Sequence, residues 1–288
     1  MAYTNFIPTV WAEQIQRELD EKCVFVEDCN RQYEGKVKEL GDSVTILGVG
    51  SPTIKELNRS QAGNDIDGPE EVESTSAKLY VNHLAYFNYK VADIDKAQAV
   101  NGLMDALNVE TTEKLANVID RYIGGFATDS SVEKVFGTTQ LITAGTTSSS
   151  SGMNVLEVLD QAIEKLYERN VSDSTKIVAT VSPRFYTLFK RAYGDKDTNN
   201  SMILKNGKVG MYGHVTIKMS NHICRTDSNA TDNIMIRTQR AVAFVKPHVH
   251  TEAYRPEKSF SDAVKGYVLY EGKVIRPKEI LNINVKYA

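Results

Sequence analysis

Residues 34–90 read EGKVKELGDSVTILGVGSPTIKELNRSQAGNDIDGPEEVESTSAKLYVNHLAYFNYK, a polar stretch of about 55 residues with no helical period. Val44 and Ile46 alternate with polar neighbours, and so do Leu79, Val81 and Phe87. Gly41-Asp42, Gly48 to Gly50, Gly63-Asn64-Asp65 and Asp67-Gly68-Pro69 are turn chemistry. The pattern predicts a long two-stranded arm whose second strand runs from Thr75 to Lys90 and whose tip lies near residues 58–72. Its apolar residues are too few to make a core, so something outside the segment must cover them. Such an arm is a liability in a protein that works alone and a connector in a shell or filament.

Outward from the arm the period changes. From residue 93 to about 122, Ile94, Ala97, Val100, Met104, Leu107, Leu115, Val118, Ile119 and Tyr122 make a helical face, and Gly124-Gly125 gives its stop. That is a spine of up to about 45 Å at 1.5 Å per residue. On the other side of the arm, Trp11, Ile15 and Leu19 recur every four residues, a stripe suited to latching an N-terminal arm onto a body. A Gly-, Thr- and Ser-rich loop at 137–152 precedes a second helix carrying Val155, Leu156, Leu159, Ile163 and Leu166, with Asn154 and Glu157 as a capping box. A strand at 176–181 leads into Ser182-Pro183, a cap followed by proline at the first helical position. Asn206-Gly207 is a hairpin turn, and alternating or apolar runs at 215–219, 234–236, 241–245, 266–270 and 274–275 read as strands. The class is α+β. A compact α/β subdomain over about 140–235 is inserted between the spine helix and the late strands that share its layer.

Charge and motifs exclude more than they assign. With 34 basic against 37 acidic residues and a net charge of -3, the chain is not built chiefly to grip nucleic acid, though brief encounters fit. No apolar run approaches the roughly 20 residues that span a bilayer, and the N-terminus lacks the basic flank and apolar stretch of a signal peptide, so a soluble protein with no membrane partner is expected. Three cysteines, Cys23, Cys29 and Cys224, cannot all pair within the chain and read as free thiols. His248-Val249-His250 is the one close histidine pair and would need a third ligand such as Glu252 to hold zinc; no metal or other cofactor is expected. There is no phosphate loop and no nucleophile elbow, Ser149 has no evident base, and Asp65 with Asp67 or Asp93 with Asp95 fit a turn and a helix start, so no catalytic residue is expected.

What remains is charge that an assembly would use. Lys36 and Lys38, two apart on a strand, point the same way, and Arg255, Lys258 and Lys265 flank a late loop. Glu70, Glu71 and Glu73 offer the opposite sign on a neighbour, where complementarity sets register more than affinity. Trp11, Lys36, Lys38, Glu70, Glu71, Glu73, Arg255 and Lys258 are therefore the expected inter-subunit contacts. Loss of Lys36 and Lys38 is expected to weaken assembly without unfolding the subunit.

Several blocks resemble a known family. Phe6-Ile7-Pro8-Thr9-Val10-Trp11-Ala12-Glu13, Tyr33-Glu34-Gly35-Lys36-Val37 with Gly41-Asp42-Ser43-Val44-Thr45-Ile46, and Tyr86-Phe87-Asn88-Tyr89-Lys90-Val91-Ala92-Asp93-Ile94-Asp95 look like the major capsid proteins of tailed bacteriophages with the Hong Kong 97 type fold. Residues 207–221 and Ala241-Val242-Ala243-Phe244 resemble the same group, so the blocks run in order along nearly the whole chain. The resemblance implies an N-terminal arm at 1–33, an extended loop at 34–92, a peripheral domain with the spine helix at 93–139, an axial domain at 140–235 and peripheral strands at 236–288. It further implies hexamers and pentamers in an icosahedral head around double-stranded DNA, touched weakly and without sequence preference. The head would be a virion part assembled in the host bacterial cytoplasm, with a portal as partner. A start at Met1, with no long charged extension, implies a separate scaffolding protein. Some members join a loop lysine to an asparagine; Lys55 or Lys78 could serve, but no motif marks the asparagine, and no cross-link is expected. Encapsulin nanocompartments share this fold, and decoration, connector and tail subunits are the other structural alternatives.

Overall fold

The computed structural model describes residues 19, 22–34, 43–49, 54, 74–92, 103–143, 152–171, 174–196, 210–228, 230–247, 249–257 and 261–287. The first elements are β1 (Ser43–Val49), β2 (Ser74–Tyr80), β3 (His83–Ala92), α1 (Leu103–Gly125), β4 (Glu133–Lys134) and β5 (Gln140–Ile142). There follow α2 (Val155–Glu168), β6 (Ile177–Val181), α3 (Pro183–Lys196), β7 (Met211–Tyr212), β8 (Val215–Met219) and β9 (Cys224–Thr226). The chain closes with β10 (Thr231–Thr238), β11 (Val242–Val245), β12 (Val249–Tyr254), β13 (Ser261–Val274) and β14 (Ile280–Tyr287).

β1 and β2 form the expected antiparallel pair, with Ser43 opposite Tyr80 and Val49 opposite Ser74. The second strand does not run on to Lys90. It breaks at Val81-Asn82, and β3 leaves the arm to pair with β13, His83 opposite Tyr270 and Ala92 opposite Ser261. Burial explains the break. Leu79 and Val81 join Val44 and Ile46 against Ala243, Val245 and Leu269, whereas Ala85 and Phe87 pack into the core that α1 covers. One unbroken strand would put all these odd-numbered residues on the same side of the same sheet. The chain's own late strands therefore cover the arm's root, while the predicted tip at 58–72 lies outside the described residues.

α1 runs for 23 residues, about 35 Å. Residues 93–102, where the sequence pattern starts the spine, lie outside the described set. Leu115, Ala116, Ile119 and Ile123 bury against Val242, Phe244, Val268 and Tyr270. The α/β core packs α2 and α3 on a sheet of order β4-β14-β10-β6-β8-β7, with β5 also on β14 and β9 on β10. Both predicted caps are present: Leu156 N donates to Asn154 Oδ1 (3.0 Å) and Phe185 N to Ser182 Oγ (3.1 Å).

β10 is buried along its whole length because its two faces serve different cores. Ile234 and Ile236 belong to the α2–α3 core, Met235 to the α1 core. β14 does the same, with Leu281 and Ile283 on one side and Ile280 on the other. Residues 236–288 therefore contribute to two sheets: β11, β12 and β13 lie with β3, and β14 lies inside the larger one.

Candidate assembly surfaces

Residues 22–34 form a strap fastened to both cores. Asp28 is buried, and its carboxylate accepts hydrogen bonds from Lys176 Nζ (2.7 Å) at one oxygen and meets Lys218 Nζ (2.6 Å) at the other. Arg237 on β10 donates to Phe25 O and Asp28 O, each at 2.7 Å, and to Cys29 Sγ at 3.2 Å. Asp120 on α1 accepts from Val24 N (3.0 Å) and Phe25 N (3.2 Å). Asn30 exchanges backbone bonds with β11, donating to Val242 O and accepting from Phe244 N. A latch of this kind was expected from Trp11, Ile15 and Leu19; Trp11 and Ile15 lie outside the described residues, Leu19 is buried in the α1 core with Phe25 and Val26, and polar groups at 24–30 add to the fastening.

Burial pushes the Asp28 carboxyl up, but hydrogen bonds and charge from Lys176 and Lys218 outweigh it and hold it below its ordinary 3.8. A carboxyl depressed in the folded state contributes stability that is present above the unfolded value and is lost as pH falls through the folded one. Asp120 runs the other way: burial raises it more than the two amides, His222 and Arg237 lower it, so its protonation favours the fold as pH falls. Asp28→Asn is expected to lower stability at pH 7 and to remove part of the acid-side loss. Urea titrations of both proteins from about pH 7 to pH 3 read this; parallel profiles would refute it.

The second site is the root of the arm. The buried Glu271 carboxylate accepts from Asn82 N (3.2 Å), His83 Nδ1 (2.9 Å), Gly272 N (3.2 Å) and the Tyr122 hydroxyl. Burial and the neighbouring carboxylate hold the Tyr122 hydroxyl far above its ordinary range, so it stays a donor. The His83 ring lies 4.6 Å from Tyr122 and 5.7 Å from Tyr270. One acid thus ties the strand break, α1 and β13 together and fixes the direction in which the arm leaves the body.

The third site is a sheet face. β3, β13 and β12 turn Phe87, Val249 and Val268 toward the core that α1 covers, leaving alternate residues on the outside. There Tyr86, Tyr267 and His250 form one cross-strand row, and Asn88, Lys265 and Glu252 the next. Lys265 Nζ pairs with Glu252 (3.1 Å) and lies 5.0 Å from the centre of the Tyr254 ring, whose hydroxyl donates to Asn88 Oδ1 (3.2 Å). The face is a shallow groove of about 440 Å³ in which Tyr86 is 77 % exposed. Gly266 keeps the strands this close: a Cβ there would lie 2.5 Å from Phe87 Cζ and 2.6 Å from His250 O.

Of the expected contacts, Arg255 is exposed just beyond β12. Trp11, Lys36, Lys38, Glu70, Glu71, Glu73 and Lys258 lie outside the described residues, as does His248 of the histidine pair. Lys265, grouped with Arg255 and Lys258 in the sequence, is paired within its own chain. Among the described residues no three His, Cys, Asp or Glu side chains converge as metal ligands. The Tyr86 row and the Glu271 node were not singled out in the sequence. Strand alternation could have placed Tyr86 outward, but nothing local marks Glu271.

No family model and no curated protein matches this sequence. Solved structures do. A chain of Mycobacterium phage Che8 superposes with a TM-score of 0.70 at 24% identity, covering 90% of this chain and 90% of that one. The capsid of the cyanophage P-SCSP1u gives 0.69 at 14% identity, over 92% of this chain and 88% of that one. A virus-like particle from Pyrococcus furiosus gives 0.59 at 11% identity, over 96% and 98%. The mixed helix-and-sheet fold described above is the fold of these chains.

Proposed function

We propose that this chain is the major capsid protein of a tailed double-stranded DNA phage, a structural rather than catalytic subunit of the Hong Kong 97 type. The observation that carries the proposal is the fold shared with the cyanophage capsid over 92% of the chain. An arm whose root is locked to the body, beside a sheet face that leaves Tyr86 open, is the subunit-side equipment such a role needs. On this reading residues 1–33 are the N-terminal arm, 34–92 the extended loop, 93–139 and 236–288 the peripheral domain and 140–235 the axial domain, with β14 lent to the axial sheet. The subunits pack as hexamers and pentamers, with a scaffolding protein, a portal and packaged DNA as partners, in a head assembled in the bacterial cytoplasm. Arg255, Lys258, Lys36 and Lys38 meet the acidic Glu70, Glu71 and Glu73 of a neighbour.

Negative-stain electron microscopy of the purified chain, alone and with its neighbouring gene products, tests this. Closed shells or rings of five and six are expected; a persistent monomer under both conditions would overturn it. The Pyrococcus furiosus likeness favours a second reading, a shell that encloses cargo other than a genome. Nuclease-protected DNA inside particles from infected cells would decide for the first, and a protein cargo for the second.

A further inference from the structure

A cleft of about 630 Å³ lies between the C-terminal half of α1 and residues 221–225, and Tyr122 of the arm-root node is part of its wall. Arg121, His222, Arg225, Asn221, Tyr122 and Cys224 are its polar lining, and among the described residues no carboxylate borders it. Arg121 is exposed and makes no ion pair or hydrogen bond with any described residue. Arg225 donates Nε to Asp232 Oδ1 (3.1 Å) and Nη2 to Asn221 Oδ1 (3.0 Å), which pins the guanidinium and leaves Nη1 uncommitted. Asp120, next to Arg121 in sequence, is turned away, both of its oxygens taken by the amides of residues 24 and 25. The cleft's shape comes from backbone packing: a Cβ on Gly124 would lie 2.6 Å from His222 O, whereas one on Gly125 would meet nothing within 4 Å. A rigid floor, one free guanidinium and a second held in place by Asp232 with its Nη1 open make a seat for a tetrahedral oxyanion.

We infer that this cleft binds a phosphate group, and, resting on the capsid reading, that the group is a backbone phosphate of the packaged DNA. A single such contact adds little total affinity. It places one fixed point of attachment on a subunit whose net charge is -3, so that a genome is registered against the wall without being gripped by it.

The test is fluorescence anisotropy of a labelled duplex with the full chain across about 50–200 mM salt, beside phosphorus NMR of inorganic phosphate with the same protein. Arg121→Ala is expected to weaken duplex binding on the order of tenfold at low salt and to reduce the salt slope by about 0.9. Gly125→Leu fills the cleft without changing charge and is expected to weaken binding as well. Arg240→Ala removes an exposed charge elsewhere and is expected to leave the binding unchanged. Equal affinity in all four proteins would overturn the cleft. Arg121-dependent phosphate broadening without duplex binding would overturn DNA as the source and leave a site for free phosphate. Shells that form while showing no dependence on Arg121 would sink the cleft alone, and a monomer that keeps the dependence would sink the capsid reading alone.

Discussion

Arg237→Ala is expected to lose about 3–5 kcal/mol of folding stability, the largest effect of any single truncation proposed for this chain. Arg237 is 1% exposed and yet carries a charge, so its guanidinium must be satisfied where it lies. Its Nη1 and Nη2 are satisfied mainly by main-chain oxygens, Asp28 O and Phe25 O, that have turned inward to meet them, while Nε has no partner among the described residues. Alanine removes both donors at once, takes from the Asp28 carbonyl its bond to Nη1, leaves the Phe25 carbonyl only its longer bonds from Asp28 N and Cys29 Sγ (3.3 Å each) and opens a void the size of a long side chain. Against a total of roughly 5–15 kcal/mol for a typical fold, that is a large share. Arg237→Lys keeps the charge but not the fork, and is expected to recover only part of the loss. Urea unfolding followed by circular dichroism measures it, and a loss below about 1 kcal/mol would show that the strap is held by other means.

Tyr86→Asp is expected to do the opposite, leaving the fold alone and removing assembly. Tyr86 sits on the open face of β3 and makes no hydrogen bond to a described residue, so the substitution changes the subunit's stability by no more than about 0.5 kcal/mol. Between subunits the same change buries a carboxylate where an aromatic ring was covered, at a cost of about 2 kcal/mol or more per contact. A closed shell repeats each contact in every subunit, so the yield of shells is expected to fall to background. Sedimentation velocity separates shells from free subunits, and circular dichroism confirms the fold. Shells at wild-type yield would show that this face stays bare in the particle.

The arm, the helix caps at Asn154 and Ser182 and the buried strand at 177–181 were legible because each depends on neighbours a few residues away. The break at Val81-Asn82 was not. Alternation runs through it with unchanged parity, and only the tertiary fold puts Leu79 on one side of β13 and Phe87 on the other. β10 reads as a short apolar run because a strand shared by two cores has no polar face to betray its period. Arg237 and Glu271 look like surface residues in the sequence. Apart from the adjacent Gly272, their partners lie 149 to 212 positions away, and a charge is recognisable as buried only once those partners are in place.

The strap also sets a clock. Asp28 is made 148 residues before Lys176, and the carbonyl it offers to Arg237 precedes that residue by 209. At roughly 5–20 residues per second on a ribosome, the strap waits about ten to forty seconds for Arg237 and slightly longer for β11, to which Asn30 bonds. During that interval α1 and the β1–β2 pair can form and Asp28 gains Lys176 and Lys218, but the strap still lacks its buried anchor on β10 and its bonds to β11. A nascent chain therefore cannot present the geometry of the finished subunit to chains already released. Translation itself delays each subunit's entry into any assembly until both of its cores are tied together.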